Sequence, residues 1–155
     1  MVRRAALVVA VLAGFPLIAM AQEDLRIDQS KIYVSDAVAC GLLEKKGIDA
    51  FMDLDFLALG FPKGIQSMEF QCGFFDVKSR EGSTHLFVSA ICEAPGELYP
   101  DTLAITPYSD TQIQVVSTYD AAMVAAGVFE PTSEVATAGA TLYTRCDNLS
   151  EITVY

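Results

Sequence analysis

Residues 68–93, MEFQCGFFDVKSREGSTHLFVSAICE, decide how this chain is read. Two runs rich in Phe, Val, Leu and Ile flank the polar group Ser79-Arg80-Glu81-Gly82-Ser83. That is the pattern of a β-hairpin with a three-residue loop and Gly at the position that tolerates positive φ. If Arg80 faces Thr84, Cys72 falls opposite Cys92. Side chains alternate between sheet faces, so Phe70, Cys72 and Phe74 share a face with Leu86, Val88, Ala90 and Cys92. This face is apolar on both strands and is expected against the core. The other face carries Glu69, Gln71, Ser79, His85, Ser89 and Glu93, but also Phe75, Val77 and Phe87, which imply a second, partial covering layer. Period, turn and cysteine spacing agree on one register, and agreement between levels outweighs any one of them.

The cysteines extend the reading. Four are present, Cys40, Cys72, Cys92 and Cys146, and in an exported chain of this size two disulfides are expected. The hairpin register selects Cys72 with Cys92 and leaves Cys40 for Cys146, tying the N-terminal segment to the last strands. In the chain-entropy model the short loop contributes about 3 kcal/mol and the long one about 5 kcal/mol. The spacings hold no Cys-x-x-Cys pair, against a thioredoxin-like redox site, a c-type haem or a zinc knuckle.

Export is read from the start of the chain. Arg3 and Arg4 precede an apolar run over 5–18 and then Ala19-Met20-Ala21, with small residues at the two positions a signal peptidase reads. Residues 1–21 are expected to be a cleaved signal peptide, with 22–155 one globular domain in the periplasm or secreted. Pro16 interrupts the run before it reaches the roughly 18 residues of a membrane anchor. Phe15 stands where a lipidated cysteine would follow Leu12-Ala13-Gly14, and beyond the arginine pair the twin-arginine signal is missing.

The formal charge is -10, from 20 acids against 10 Lys and Arg, and loss of the two leader arginines makes it more negative still. The acids are scattered singly, as on a solvated surface. Such a domain is repelled by phosphate backbones and anionic lipid, so neither nucleic acid nor stable membrane insertion after cleavage is expected. A protein partner with a basic surface, or a small ligand, is.

Along the rest of the chain, residues 22–29 read as a polar lead-in. Ser35 and Asp36 offer an N-cap, and Gly47 a C-terminal stop, for a helix over 36–46. Residues 49–59 fit helix and strand alike, because Phe51, Leu54 and Ala58 have helical spacing while Met52, Leu54 and Phe56 alternate with Asp53 and Asp55. Residues 93–97 form a turn-rich connection. A second hairpin is expected from 103–106 and 112–119 across Pro107-Tyr108-Ser109-Asp110. A short Ala-rich helix is expected over 120–128, a loop or weak edge over 131–139, and closing strands at 140–146 and 152–155. The fold class is α+β: a mainly antiparallel sheet of two hairpins plus C-terminal strands, with one or two short N-terminal helices. Cys40-Gly41-Leu42-Leu43-Glu44 echoes Cys72-Gly73-Phe74-Phe75-Asp76, although a single short match does not make a repeat.

Chemistry is thinly marked. His85 is the lone histidine, placed beside the hairpin turn on the face opposite the cysteines, so any Ser-His-Asp arrangement has to use it. No Gly-x-Ser-x-Gly elbow, phosphate loop or dinucleotide fingerprint accompanies it, and no cofactor is expected. Asp49, Asp53 and Asp55 are the densest set of oxygen ligands and the weak metal candidates, but they lack the Gly and closing Glu of a calcium loop. Asn148-Leu149-Ser150 fits the N-glycosylation sequon. The expectation is an exported, acidic, disulfide-bonded domain that binds a protein or small ligand without catalysis, as an accessory or inhibitor protein. Its alternatives are a small secreted hydrolase using carboxylates or a serine, and a structural subunit of an envelope complex.

Overall fold

Eight strands wind in sequence order around one axis: β1 (Ile32–Val34), β2 (Ala58–Gly60), β3 (Gly64–Gln66), β4 (Gln71–Ser79), β5 (Leu86–Ala94), β6 (Glu97–Pro107), β7 (Gln112–Ser117) and β8 (Ala140–Cys146). The computed structural model describes residues 25–130 and 137–154, so the expected signal peptide lies outside them, as do parts of the 131–139 segment and Tyr155. Each strand is antiparallel to the next, and β8 returns to β1 with Ile32 opposite Cys146 and Val34 opposite Thr144. The sheet therefore closes into a barrel. The expected antiparallel sheet is present, but as a barrel that satisfies both of its edges by joining them.

The central hairpin carries a correction. Cys72 stands opposite Cys92 and Phe74 opposite Ala90, but past an irregularity between Phe74 and Asp76 the pairing shifts, with Asp76 opposite Ser89 and Ser79 opposite Leu86. Phe75 is the extra residue of a β-bulge, which reverses the inside-outside alternation beyond it. Val77 consequently pairs with the buried Val88, although at this end of the strand Val77 itself stays 37% exposed. Among the described residues no second layer covers the other face: Phe75 and Phe87 are 67% and 54% exposed. The connection spans 80–85, longer than the expected three-residue loop, with Gly82 at φ +73°.

The barrel interior is filled from every strand. Tyr33, Leu59, Ile65, Cys72, Leu86, Val88, Leu103, Ile105, Ile113, Val115 and Tyr143 form one buried cluster, with Phe61 edge-on to Tyr33 at 6.5 Å between ring centroids. At the end nearest the 80–85 loop, Ile27 packs onto this cluster and the Tyr33 hydroxyl accepts from the Asp28 amide at 2.9 Å. The lead-in segment is thus a plug at that end.

A second cluster lies outside the barrel. Helix α1 (Ala39–Lys46) and a 3-10 helix (Gly47–Met52) lay Ala39, Leu43, Ala50 and Phe51 over the outward side chains Ile32, Val34, Ala58 and Cys146. Phe51 stacks on Phe56 at 4.6 Å. The Cys40–Cys146 disulfide fastens α1 to β8, and Cys72–Cys92 bridges β4 and β5. α1 begins three residues later than expected, because the Asp36 carboxylate accepts from the Val38 amide in a turn that precedes the helix. The ambiguous segment 49–59 is both of its readings in succession, 3-10 helix and then β2. The echo around Cys40 and Cys72 lies in a helix once and a strand once, so it marks no structural repeat.

Two further boundaries move. β6 starts at Glu97, well before the expected 103, so 93–97 is a two-residue turn at Pro95 and Gly96. β7 stops at Ser117 and helix α2 (Thr118–Ala125) follows at once, two residues before the expected start, with Ser117 as its N-cap. Residues 151–154 form no strand, although Ile152 is buried and the Thr153 carbonyl accepts from the Ile48 amide at 2.9 Å.

Candidate functional site

The barrel interior is filled below the plug, where a shallower, more polar pocket lies outside it between Ile27 and the 80–85 loop, and is hollow at the other end. Where β2, β4, β6 and β8 begin and β3, β5 and β7 finish, a cavity of about 310 Å³ remains. Eight strands enclose an interior that is either filled by side chains or left able to hold one small ligand, and here each half does one of these. Ile65, Cys72, Leu103, Val115 and Tyr143 form the deep walls, while Phe70, Tyr99 and Phe129 stand nearer the mouth.

Two acids break this apolar lining. Asp101 sits on β6 in the inward series Tyr99, Asp101, Leu103, Ile105, and it is only 8% exposed. A buried carboxylate needs donors, and Asp101 has three: the Ser117 hydroxyl at 2.6 Å, the Tyr119 amide at 3.0 Å and the Thr102 amide at 2.7 Å. Two of these come from the start of α2, so Asp101 fastens that helix to the barrel. Ser117 also accepts from the Asp120 amide at 3.0 Å, an N-cap that fixes the first turn. That turn carries the second acid, Asp120, to the cavity wall.

Close packing holds α2 in place. Gly139 has φ +70°, and a Cβ there would collide with the backbone of Ala121 and Ser117, so only Gly lets β8 approach the helix. Thr118 Oγ1 donates to the Thr102 carbonyl at 2.7 Å. Tyr119 stacks on Tyr99 at 3.9 Å, donates its hydroxyl to Glu97 at 3.1 Å and meets Phe129 edge-on at 6.4 Å.

Burial and charge tune the groups. Burial, then repulsion from Asp101, raises the Asp120 carboxyl above its ordinary value. Burial, then the nearby Asp120 charge, pushes the Tyr99 phenol up to about 12. Tyr143, wholly inside, moves in the same direction for the same two causes. Among the described residues lining the cavity there is no Lys, Arg or His. The arrangement can enclose a compact apolar group and offer it ring faces and negative charge.

The residues singled out in the sequence lie mostly elsewhere. Cys72 lines the cavity and is bonded to Cys92, while Cys40 and Cys146 bond on the outer side of the barrel. Asp53 pairs with Lys46 at 2.6 Å, and Asp49 and Asp55 are exposed. Among the described residues no three His, Cys, Asp or Glu side chains converge as a metal site, so the Asp49, Asp53 and Asp55 set is not assembled. His85 lies in the 80–85 loop, just outside β5, with its amide donating to Ser83 Oγ at 3.1 Å. Asn148 is exposed in the segment after β8.

Asp101, Asp120, Tyr99 and Tyr143 were not singled out in the sequence. Two signals pointed to them: an acid interrupting the alternating apolar series of β6, and Ser117 three residues before Asp120, the spacing of a helix N-cap and its first-turn acid. Comparison with protein-family models, with curated proteins and with solved structures found no match.

Proposed function

We propose that this chain is an exported, non-enzymatic binding protein that holds one small ligand in the barrel cavity. The observation that carries the reading is the half-empty interior. Side chains fill the barrel from Ile27 to Leu103, and then leave about 310 Å³ lined by aromatic and aliphatic groups with two acids at one side. That volume is at the lower end of the range for ligand sites, and such sites combine apolar walls with few polar groups. Scaled from a 150 Å³ cavity that takes benzene, it accommodates on the order of a dozen non-hydrogen atoms. Binding fits the polar groups better than catalysis does. Ser117 spends its proton on Asp101, Asp101 is engaged by three donors, and His85 sits with the 80–85 loop at the opposite end of the barrel.

The test uses tert-butylbenzene, a compact probe of suitable size, followed by proton NMR. Saturable one-to-one binding is expected, together with its loss in Thr141→Trp, which fills the cavity from β8. A linear, unsaturable response, or saturation that Thr141→Trp leaves intact, would remove the cavity from the account.

A second reading has its own observation. Phe87 and Ile91 on the outer face of β5, and Leu98 diagonal to Ile91 on β6, are 54%, 44% and 73% exposed. This face suits a protein partner, and the acidic surface suits a basic one. Replacing Phe87 and Ile91 by Ser is expected to abolish such an association while leaving probe binding in the cavity intact.

A further inference from the structure

The charged groups at the cavity are all of one sign. We infer that the ligand carries an organic ammonium group, an amine or N-methylated cation on a small apolar or aromatic body, lodged between Asp120 and the rings of Tyr99, Tyr143, Phe70 and Phe129. This rests on the reading of the barrel as a ligand site and names the chemistry of its occupant.

Three observations lead to it. First, Asp101 and Asp120 are the charged residues among those described at the cavity wall, and neither forms an ion pair there. A ligand bearing a carboxylate or phosphate would meet two carboxylates and no basic side chain, whereas a cation relieves their mutual repulsion. Second, aromatic side chains ring the same space. The face of an aromatic ring attracts a cation, most strongly where water is excluded. Tyr99 is held rigidly for that task, stacked on Tyr119, whose hydroxyl is itself tied to Glu97.

The third observation separates an organic cation from a metal ion. Hard cations such as calcium take six to eight oxygen ligands. Both oxygens of Asp101 already accept hydrogen bonds, Oδ1 from two backbone amides and Oδ2 from Ser117. Its charge acts on the cavity at a distance, and Asp120, whose carboxylate also meets the Ser117 side chain, is the acid left to approach a ligand. One carboxylate among apolar walls does not coordinate a hard ion, but it does suit a bulky, weakly hydrated ammonium.

The experiment compares phenyltrimethylammonium with tert-butylbenzene, its uncharged isostere, on the mature protein by NMR titration at neutral pH and low salt. The cation is expected to bind at least about tenfold more tightly, the scale of a close charge interaction away from bulk water. Asp120→Asn should erase most of that preference, Asp120→Glu should restore part of it, and Glu81→Gln, an exposed acid in the 80–85 loop at the opposite end of the barrel, should leave it unchanged. Circular dichroism establishes that each variant is folded. Equal or weaker binding of the cation, with tert-butylbenzene still bound, would overturn the inference and leave the cavity as an apolar site. So would a preference that survives Asp120→Asn. Binding of neither probe would remove the ligand-site reading and this inference with it.

Discussion

Ser117 Oγ lies 2.6 Å from Asp101 Oδ2 inside the barrel, donating to it while accepting from the Asp120 amide at 3.0 Å. One hydroxyl thus joins β6, β7 and α2, and through them sets the cavity wall. Ser117→Ala removes a helix cap and leaves a buried carboxylate short of a donor. The expected cost is about 1–3 kcal/mol in urea unfolding. Asp101→Ala strands three donors at once and should cost more than Ser117→Ala. An unfolding midpoint unchanged in both variants would show that α2 is held by something else.

Gly139 and Gly82 have nearly the same backbone angle, φ +70° and +73°, in different surroundings. At Gly82 an added Cβ meets nothing within 4 Å, while at Gly139 it meets the backbone of Ala121 and Ser117. Gly82→Ala should cost only the left-handed penalty of about 1–2 kcal/mol. Gly139→Ala should cost clearly more and also loosen α2, raising amide exchange over Thr118–Ala125. Equal thermal shifts for the two substitutions would count against the close approach of β8 to the helix.

The two disulfides brace different parts of the fold. Cys40–Cys146 closes a sequence separation of 106 and is the covalent tie between α1 and the barrel. Replacing both cysteines by Ser should cost about 2–5 kcal/mol. The loss should be uneven: amide protection falls first in α1 and the 3-10 helix and persists across the long β5–β6 pairing. Protection lost evenly across all elements would indicate that the outer cluster and the barrel are one cooperative unit.

Asp120 gives a pH dependence whose sign follows from its raised carboxyl pKa. Burial and Asp101 favour the protonated form in the folded state. The stabilisation linked to this group is therefore complete below the ordinary value of 3.8 and is lost as pH rises through the folded-state pKa. Asn cannot titrate, so the stability of Asp120→Asn relative to the native protein should rise across that window and flatten above it. Asp101 is the charged group that acts on Asp120, and Tyr99, Tyr119 and Tyr143, which feel the Asp120 charge, titrate far above this range. Denaturation curves at a series of acid to neutral pH values measure the slope, and a flat difference would contradict the raised carboxyl.

The long elements were legible because their residues alternate. The hairpin of β4 and β5 shows its inward set in the sequence, and the register that brings Cys72 opposite Cys92 holds as far as Phe74. Beyond that point Phe75 and Val77 had already broken the alternation, which is how a bulge looks in one dimension. The closure of the barrel was not legible. β1, β2 and β3 have three residues each, too few for any period to emerge, and Tyr33, Leu59 and Ile65 declare an inside only when the neighbouring strands are present. The outer cluster had the opposite difficulty, since Ile32, Val34 and Ala58 are apolar on the face that an isolated barrel would expose. Asp101 and Asp120 were hidden among 20 acids. Their position on a cavity wall depends on β6 beginning at Glu97 and α2 beginning straight after Ser117, boundaries that hydrogen bonds set and composition does not.

The central claim is that the barrel holds a small molecule in its unfilled half, and backbone amide NMR during titration with phenyltrimethylammonium tests it most directly. Saturable shifts are predicted at Tyr99, Asp101, Leu103, Ser117, Asp120 and Thr141, with Leu86 and Ile113 at the plugged end unmoved. Shifts confined to the outer face around Phe87 and Ile91, or no saturable shift anywhere, would contradict it.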